Sequence, residues 1–220
     1  MTVIVGLTDR AGCDANTDNL VLVDGVRRRL LWIPRDLWCP TLGDRVNAAF
    51  RRGGLAGLIA ALREHDLDAE DALVVSRDAV ERAVADLAVL VPIPVRMEFA
   101  YPLTPTSRIE DGRKRIVFEP PAEVLRGERI HQWIGARSGS DLHRIERQKI
   151  FVRRLIEQGA AFGRVLYDQA AWRASGPAAI DVLARVRSTW RFDTLGPLEP
   201  ALVDRKDVLL RRPERARSGR

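Results

Sequence analysis

Cysteine and histidine are scarce in this sequence. Two cysteines, Cys13 and Cys39, and three histidines, His65, His131 and His143, stand at no spacing that zinc ligation uses, and no CxxC pair is present. Zinc centres and CxxC redox chemistry are excluded; a single Cys13–Cys39 bridge and two separate thiols both stay open. Long apolar runs are missing too. None reaches eighteen residues, and the opening MTVIVGLTDR has neither a basic leader nor a long apolar segment. As written, the chain is expected to carry no membrane span and no signal peptide. Internal repeats and low-complexity tracts are also lacking, and nothing marks a second domain.

Arginine is abundant instead. Lys+Arg 36 against Asp+Glu 30 gives a net charge of +6 and a pI near 10.1, which favours anionic partners: nucleic acid, acidic head groups or phosphorylated substrates. Part of the excess lies in the tail RRPERARSGR, which reads as a frayed terminus. With 46% hydrophobic and 30% charged residues, the 220-residue chain has the makings of one globular domain, 1–210, followed by a basic disordered tail, 211–220.

Taken in order, Thr2 to Leu7 reads as a buried strand that delivers Asp9 at its C-terminal end. Asn19 to Val23 and Arg29 to Ile33 form a hairpin around Asp24-Gly25, and Pro34 places Arg35 and Asp36 just past the second arm. From Arg45 to His65 the pattern is helical, with a stripe of Leu55, Leu58, Ile59 and Leu62 and a break at Gly53-Gly54. Ala72 to Val75 is a strand, and Ser76 caps a helix facing Val80, Val84 and Leu87 inward. Val89 to Val95, with Pro92 and Pro94, fits an edge strand or an extended connection. Tyr101 to Gly112 reads as loop, Arg115 to Phe118 as a strand, and Val124 and Leu125 as helical. A helix is expected from Pro177 to Trp190, and one or two strands between Leu195 and Leu210. The sum is an α/β fold, a mixed central sheet with helices on both faces.

Gly127 to Gln148, GERIHQWIGARSGSDLHRIERQ, concentrates charge at a helix start. Arg137, Arg144 and Arg147 stand beside Asp141 and Gln148, while Ile145, Val152, Leu155 and Ile156 supply the buried face of a helix running to about Gly159. Free N–H groups, the positive end of the helix dipole and guanidinium forks suit a phosphate or pyrophosphate. The plainer alternative is that Asp141 caps the helix and the arginines are solvated surface charge.

Gly6-Leu7-Thr8-Asp9-Arg10, Asn16-Thr17-Asp18-Asn19, Ile33-Pro34-Arg35-Asp36-Leu37-Trp38, Arg45-Val46-Asn47-Ala48-Ala49-Phe50 with Gly53-Gly54, Gly127-Glu128, Arg137, and Asp141 with Arg144-Ile145-Glu146-Arg147-Gln148 occur in one order over about two-thirds of the chain. This ordered set resembles the LytR-CpsA-Psr family of bacterial cell-wall enzymes. The resemblance implies a magnesium- or manganese-dependent phosphotransferase that takes a glycopolymer from a polyprenyl pyrophosphate carrier and joins it to a peptidoglycan hydroxyl, with the lipid tail in an apolar groove. It further implies that Asp9 and Asp18 hold the metal or orient the acceptor. Arg35, Arg137, Arg144 and Gln148 clamp the phosphates, with Arg10, Asn47 and Arg147 alongside and Asp36 and Asp141 orienting arginines.

Family arginines are usual two residues before Asp18 and two before Arg137, where this chain has Asn16 and Gly135. Their loss lowers the expected phosphate stabilisation, unless Arg10 and Arg129 compensate. Family members are normally tethered outside the cell by a helix preceding the first strand. The expected location is therefore the outer face of the plasma membrane, or the cytoplasm if Met1 is the native start. Two alternatives follow: a pyrophosphohydrolase or phosphotransferase on a soluble intermediate, and a non-catalytic protein that binds lipid pyrophosphate. Nucleic acid is not an expected partner, since no recognition helix or basic aromatic surface is present.

Overall fold

β-branched residues from Thr2 onward carry the chain directly into a sheet. In the computed structural model, which describes residues 1–9, 15–103, 112–136, 141–158 and 172–211, β1 (Thr2–Thr8), β2 (Thr17–Asp24) and β3 (Arg29–Ile33) run antiparallel to one another in sequence. Short β4 (Trp38–Cys39) and β5 (Asp44–Arg45) and a 3-10 turn over Val46–Ala48 lead into α1 (Ala49–Arg63). After β6 (Asp71–Val75) and α2 (Arg77–Val84) come β7 (Val89–Pro92), β8 (Met97–Pro102), β9 (Arg113–Phe118), β10 (Ala122–Leu125), α3 (Glu128–Gly135) and α4 (Asp141–Glu157). The chain closes with β11 (Trp172–Ala174), α5 (Ala178–Ala184), β12 (Arg191–Thr194) and the hairpin β13 (Leu198–Val203) and β14 (Lys206–Arg211). Two compact units result: Met1–Ala79 with Val165–Val186 and Trp190–Arg220, and Val80–Arg164 with Arg187–Thr189.

The first unit is built on a mixed sheet of order β11-β6-β1-β2-β3-β12, in which β1 pairs parallel with β6 and antiparallel with β2. Side chains alternate between its faces. Ile4, Leu20, Leu22, Leu31, Ile33, Ala72 and Val74 share one face and are buried with Leu58, Ala61 and Leu62 of α1. The expected stripe of Leu55, Leu58, Ile59 and Leu62 is the face used, and the expected break is real: Gly54 sits at φ 59° and ψ −155°. Asp71, one register step from Ala72, points to the other face, where its Oδ2 accepts from the Ala179 N–H of α5 at 3.0 Å. Helices thus cover both faces. Cys39 is a free, buried thiol, so the bridge to Cys13 is not made; Cys13 itself lies outside the described residues.

In the second unit β7 pairs with β10 and β8 with β9, both antiparallel. Phe99, Phe118 and Trp133 pack edge to face at centroid distances of 6.0 and 5.1 Å over a core with Val89, Val91, Ile93, Phe151 and Leu155. Here the structure corrects three expectations. Val124 and Leu125 belong to strand β10, because Val89 to Pro92 offers them a ladder and Pro120-Pro121 breaks any helical entry. Tyr101 belongs to β8, whose Phe99 and Tyr101 are buried while Glu98 and Ala100 are exposed. The expected helix to Trp190 stops at Ala184, and Arg191–Thr194 forms an edge strand parallel to β3.

Candidate functional site

The β1–β2 ladder carries a β-bulge at the strand end. Leu7 pairs with Asn19 and Thr8 with Thr17, so Asp18 is the extra residue with no partner on β1. Bulges re-aim a side chain and recur beside active sites. Continuing the β2–β3 register from Leu20↔Ile33 sets Asp18 level with Arg35, and the two form an ion pair. Pro34 lacks the N–H that would prolong β3, and the chain turns there, its carbonyl accepting from Leu37 N–H at 3.1 Å. Asn47 locks this corner through its backbone: its N–H donates to the Arg35 carbonyl at 3.3 Å, and its own carbonyl accepts from Thr17 Oγ1 at 3.3 Å. Asp36 Oδ1 lies 3.8 Å from Arg35 Nε and 3.4 Å from an Arg45 guanidinium nitrogen.

Asp9 follows directly on β1, its N–H donating to the Asn16 carbonyl at 2.8 Å. Thr8 Oγ1 accepts from Arg77 N–H at 3.1 Å, tying the start of α2 to the same strand end. Asp9, Asp18, Arg35, Asp36 and Asn47 therefore gather at one end of the sheet, while Arg10 lies outside the described residues. Among the described residues no group of three or more His, Cys, Asp or Glu could hold a metal. Magnesium needs less: one or two carboxylates, with waters and substrate phosphates completing its shell. Asp18 in the bulge and Asp9 just past the end of β1 are two carboxylates of the kind that requirement names.

In the second unit Arg147 is buried, and its guanidinium closes the end of α3. Nε donates to the Trp133 carbonyl at 2.8 Å, one terminal nitrogen to the Ala136 carbonyl, and the other to the His143 carbonyl at 3.3 Å. Its carbon also lies 4.7 Å from the centre of the Phe99 ring. Gln148 Nε2 donates to the Ile134 carbonyl at 3.0 Å, and Trp133 Nε1–H to the Arg147 carbonyl at 3.0 Å. Arginine and glutamine from one helix thus satisfy the last carbonyls of another, which have no partners within α3. Burial, and then the nearby charge of Arg144, push the Arg147 guanidinium down to about 10.

Arg144 is 1% exposed and pairs with Asp141 Oδ1 at 2.6 Å across one helical turn. Arg137 lies outside the described residues. Arg129 is committed elsewhere: it pairs with Glu123 at 2.6 Å, donates to the Val117 carbonyl and Gln132 Oε1, and stacks 4.0 Å over Phe118. Its guanidinium is thus held against β9 and β10; at Gly135, among the described residues, an added Cβ would meet the Tyr101 hydroxyl at 4.0 Å.

Arg45 and Thr17, which buttress the Asp18–Arg35 corner, stand in the ordered motifs but were given no role from sequence. Arg45 opens the Arg45–Phe50 motif, but a helical pattern starting there masked it. Cys39 and His65 form a separate buried contact, Sγ to Nε2 3.6 Å, with the thiol pushed up to about 12 by burial and then by the charge of Glu64.

The model of the LytR_cpsA_psr family matches residues 3–184. Among solved structures, B. subtilis TagV is 17% identical, with a TM-score of 0.63 over 96% of this chain and 91% of its own. TagT bound to LI-WTA is 17% identical, TM-score 0.67, over 96% and 83%. A Streptococcus agalactiae protein is 14% identical, TM-score 0.69, over 96% and 82%. These likenesses concern the fold. No curated protein matches the sequence.

Proposed function

The chain belongs to the LytR-CpsA-Psr family, whose members are phosphotransferases of cell-wall glycopolymer attachment, and from that we propose that it transfers a glycopolymer phosphate from a polyprenyl pyrophosphate carrier to a peptidoglycan hydroxyl. The glycan class is supported by TagT, whose structure holds LI-WTA. The observation that carries the reading to this chain is the Asp18–Arg35 pair held in a bulge at the end of β1. A carboxylate that suits a divalent cation and a guanidinium that suits a phosphate are set side by side there.

In the transfer, an acceptor oxygen forms a bond to the phosphorus that bears the glycan. The phosphoanhydride bond breaks, polyprenyl phosphate leaves, and the hydroxyl proton passes to solvent or a carboxylate. Asp9 and Asp18 would hold magnesium or manganese, which neutralises charge on the pyrophosphate. Arg35, Arg137 and Arg144 would bind and stabilise the phosphates, with Arg10 and the Asn47 corner in support, while Arg147 and Gln148, bound to the carbonyls that end α3, would hold the helix that carries Arg144. Asp36 and Asp141 orient their arginines. The polyprenyl chain lies in an apolar groove and brings the protein to the membrane surface; among the described residues no helix is long and apolar enough to cross it.

With a polyprenyl-diphosphate-linked glycan, purified protein and magnesium, Arg35→Ala should lower turnover roughly 10²- to 10³-fold with the melting temperature held. Undiminished turnover would remove Arg35 from the mechanism. Asn16, Gly135 and the committed Arg129 motivate a second reading, a pyrophosphohydrolase or phosphotransferase on a soluble diphosphate. A substrate panel in which a soluble diphosphate outruns the lipid-linked one would favour it.

A further inference from the structure

We propose that Arg45 is a positioning residue for Arg35, acting through the Asp36 carboxylate and held in its turn by the C-terminal hairpin β13–β14. The proposal rests on the phosphate-binding role given to Arg35 above. Asp18, Arg35, Asp36 and Arg45 form a row of alternating charge. Within it Asp36 Oδ1 is buried and has no hydrogen-bond donor among the described residues, so its charge is balanced by two guanidinium groups at 3.8 and 3.4 Å. Such a carboxylate pulls on both neighbours. Remove Arg45, and the whole attraction falls on Arg35 Nε, drawing the guanidinium out of its alignment with Asp18.

Arg45 can resist because it is anchored on the far side. Its second terminal nitrogen donates to the Asp207 carbonyl of the hairpin at 2.7 Å. The hairpin also holds the backbone of the corner, with Leu209 N–H donating to the Asp36 carbonyl at 2.9 Å and Leu37 bridging Leu209 in parallel register. Lys206 adds an ion pair to Asp44 at 2.8 Å, the residue whose carboxylate accepts from Arg45 N–H at 2.9 Å. Residues 198–211 lie beyond the 3–184 matched by the family model, so this brace is a property of the structure and not of the motif set.

The Nε–H signal of Arg35 in a proton–nitrogen NMR spectrum, assigned by its loss in Arg35→Lys, reads the guanidinium without any substrate. Arg45→Met and Asp36→Asn should each move that signal toward the position of a free arginine, whereas Arg96→Gln, which removes an exposed charge of the same sign, should leave it in place. Arg45→Lys, which keeps the charge and one of two bonds, should move it less, and serves if Arg45→Met fails to fold. In turnover, each substitution should raise KM for the lipid-linked diphosphate about tenfold, and the double variant no more than the larger single, since both act by one route. An unmoved Arg35 signal in both Arg45 variants, or KM effects that multiply, overturns the proposal. A wild-type protein that turns over no diphosphate substrate refutes the transferase assignment instead, and the Arg35 signal still decides the role of Arg45.

Discussion

Asp18 holds Arg35 in an ion pair that is mostly shielded, with side-chain exposures of 23% and 12%. An arriving diphosphate therefore competes with a carboxylate for the same fork, unless a cation has first drawn that carboxylate away. Such part-exposed pairs are worth about 0.2 to 1 kcal/mol. Asp18→Asn should then strengthen metal-free binding of inorganic pyrophosphate about two- to fivefold by calorimetry while turnover falls; weaker or unaltered binding would show that Asp18 does not compete. His65 makes a different kind of prediction. Burial, the largest influence, holds its pKa below 6.5 against the opposing charge of Glu64, and Arg211 pushes the same way as burial. The fold thus favours the neutral ring. Its contribution is complete above pH 6.5 and is lost as pH falls toward the lower folded value. Between pH 7 and 5 the melting temperature of the wild type should fall more steeply than that of His65→Gln, and parallel slopes would dismiss the effect. Arg35 was legible in sequence because the strand before it and Pro34 place it just past a strand end, whereas Asp18 was reached only through the family resemblance. Arg147 was not: a guanidinium that serves three carbonyls and one that serves a phosphate look alike until the fold shows which lies at the end of α3.

At the scale of elements, α3 and α4 are joined by side chains doing what a helix cap does. Arg147→Met would strand the Trp133 and Ala136 carbonyls inside the unit. Breaking a buried charged contact typically costs about 3 to 5 kcal/mol. A loss near 3 kcal/mol, read as a drop in urea midpoint at constant m, is expected, and a loss below about 1 kcal/mol would mean solvent reaches those groups. The end of α3 also offers a gain. Among the described residues, a Cβ at Gly135 meets nothing nearer than the Tyr101 hydroxyl at 4.0 Å. Gly135→Arg restores the fork usual in the family and should raise turnover on the lipid-linked diphosphate about tenfold or more, one charge-assisted hydrogen bond; turnover unchanged would mean that the site works without it. The apolar runs β1 and β3 and the helical stripe of α1 were readable in advance. β8 and β10 were not, because Met97–Pro102 and Ala122–Leu125 are short and take their state from partners, Arg113–Phe118 and Val89–Pro92, that local pattern cannot supply.

For the whole molecule the question is which part of the positive charge serves the reaction. Of the +6 formal charge, +3 belongs to residues 212–220, where Arg212, Arg215, Arg217 and Arg220 face a single Glu214. Two of the arginines assigned to phosphate, in contrast, are each paired with a carboxylate: Arg35 with Asp18, Arg144 with Asp141. Paired charge at short range stays effective in salt, whereas an uncompensated tail acts through a field screened within about 8 Å at physiological ionic strength. Affinity for polyanions in general and turnover on a pyrophosphate should therefore separate. A chain ending at Arg211 should leave a heparin column at lower salt than the full chain, yet show the same kcat and KM on the lipid-linked diphosphate. Should turnover fall along with heparin retention, the tail takes part in substrate capture, and the general basicity of the sequence would be functional charge in its own right.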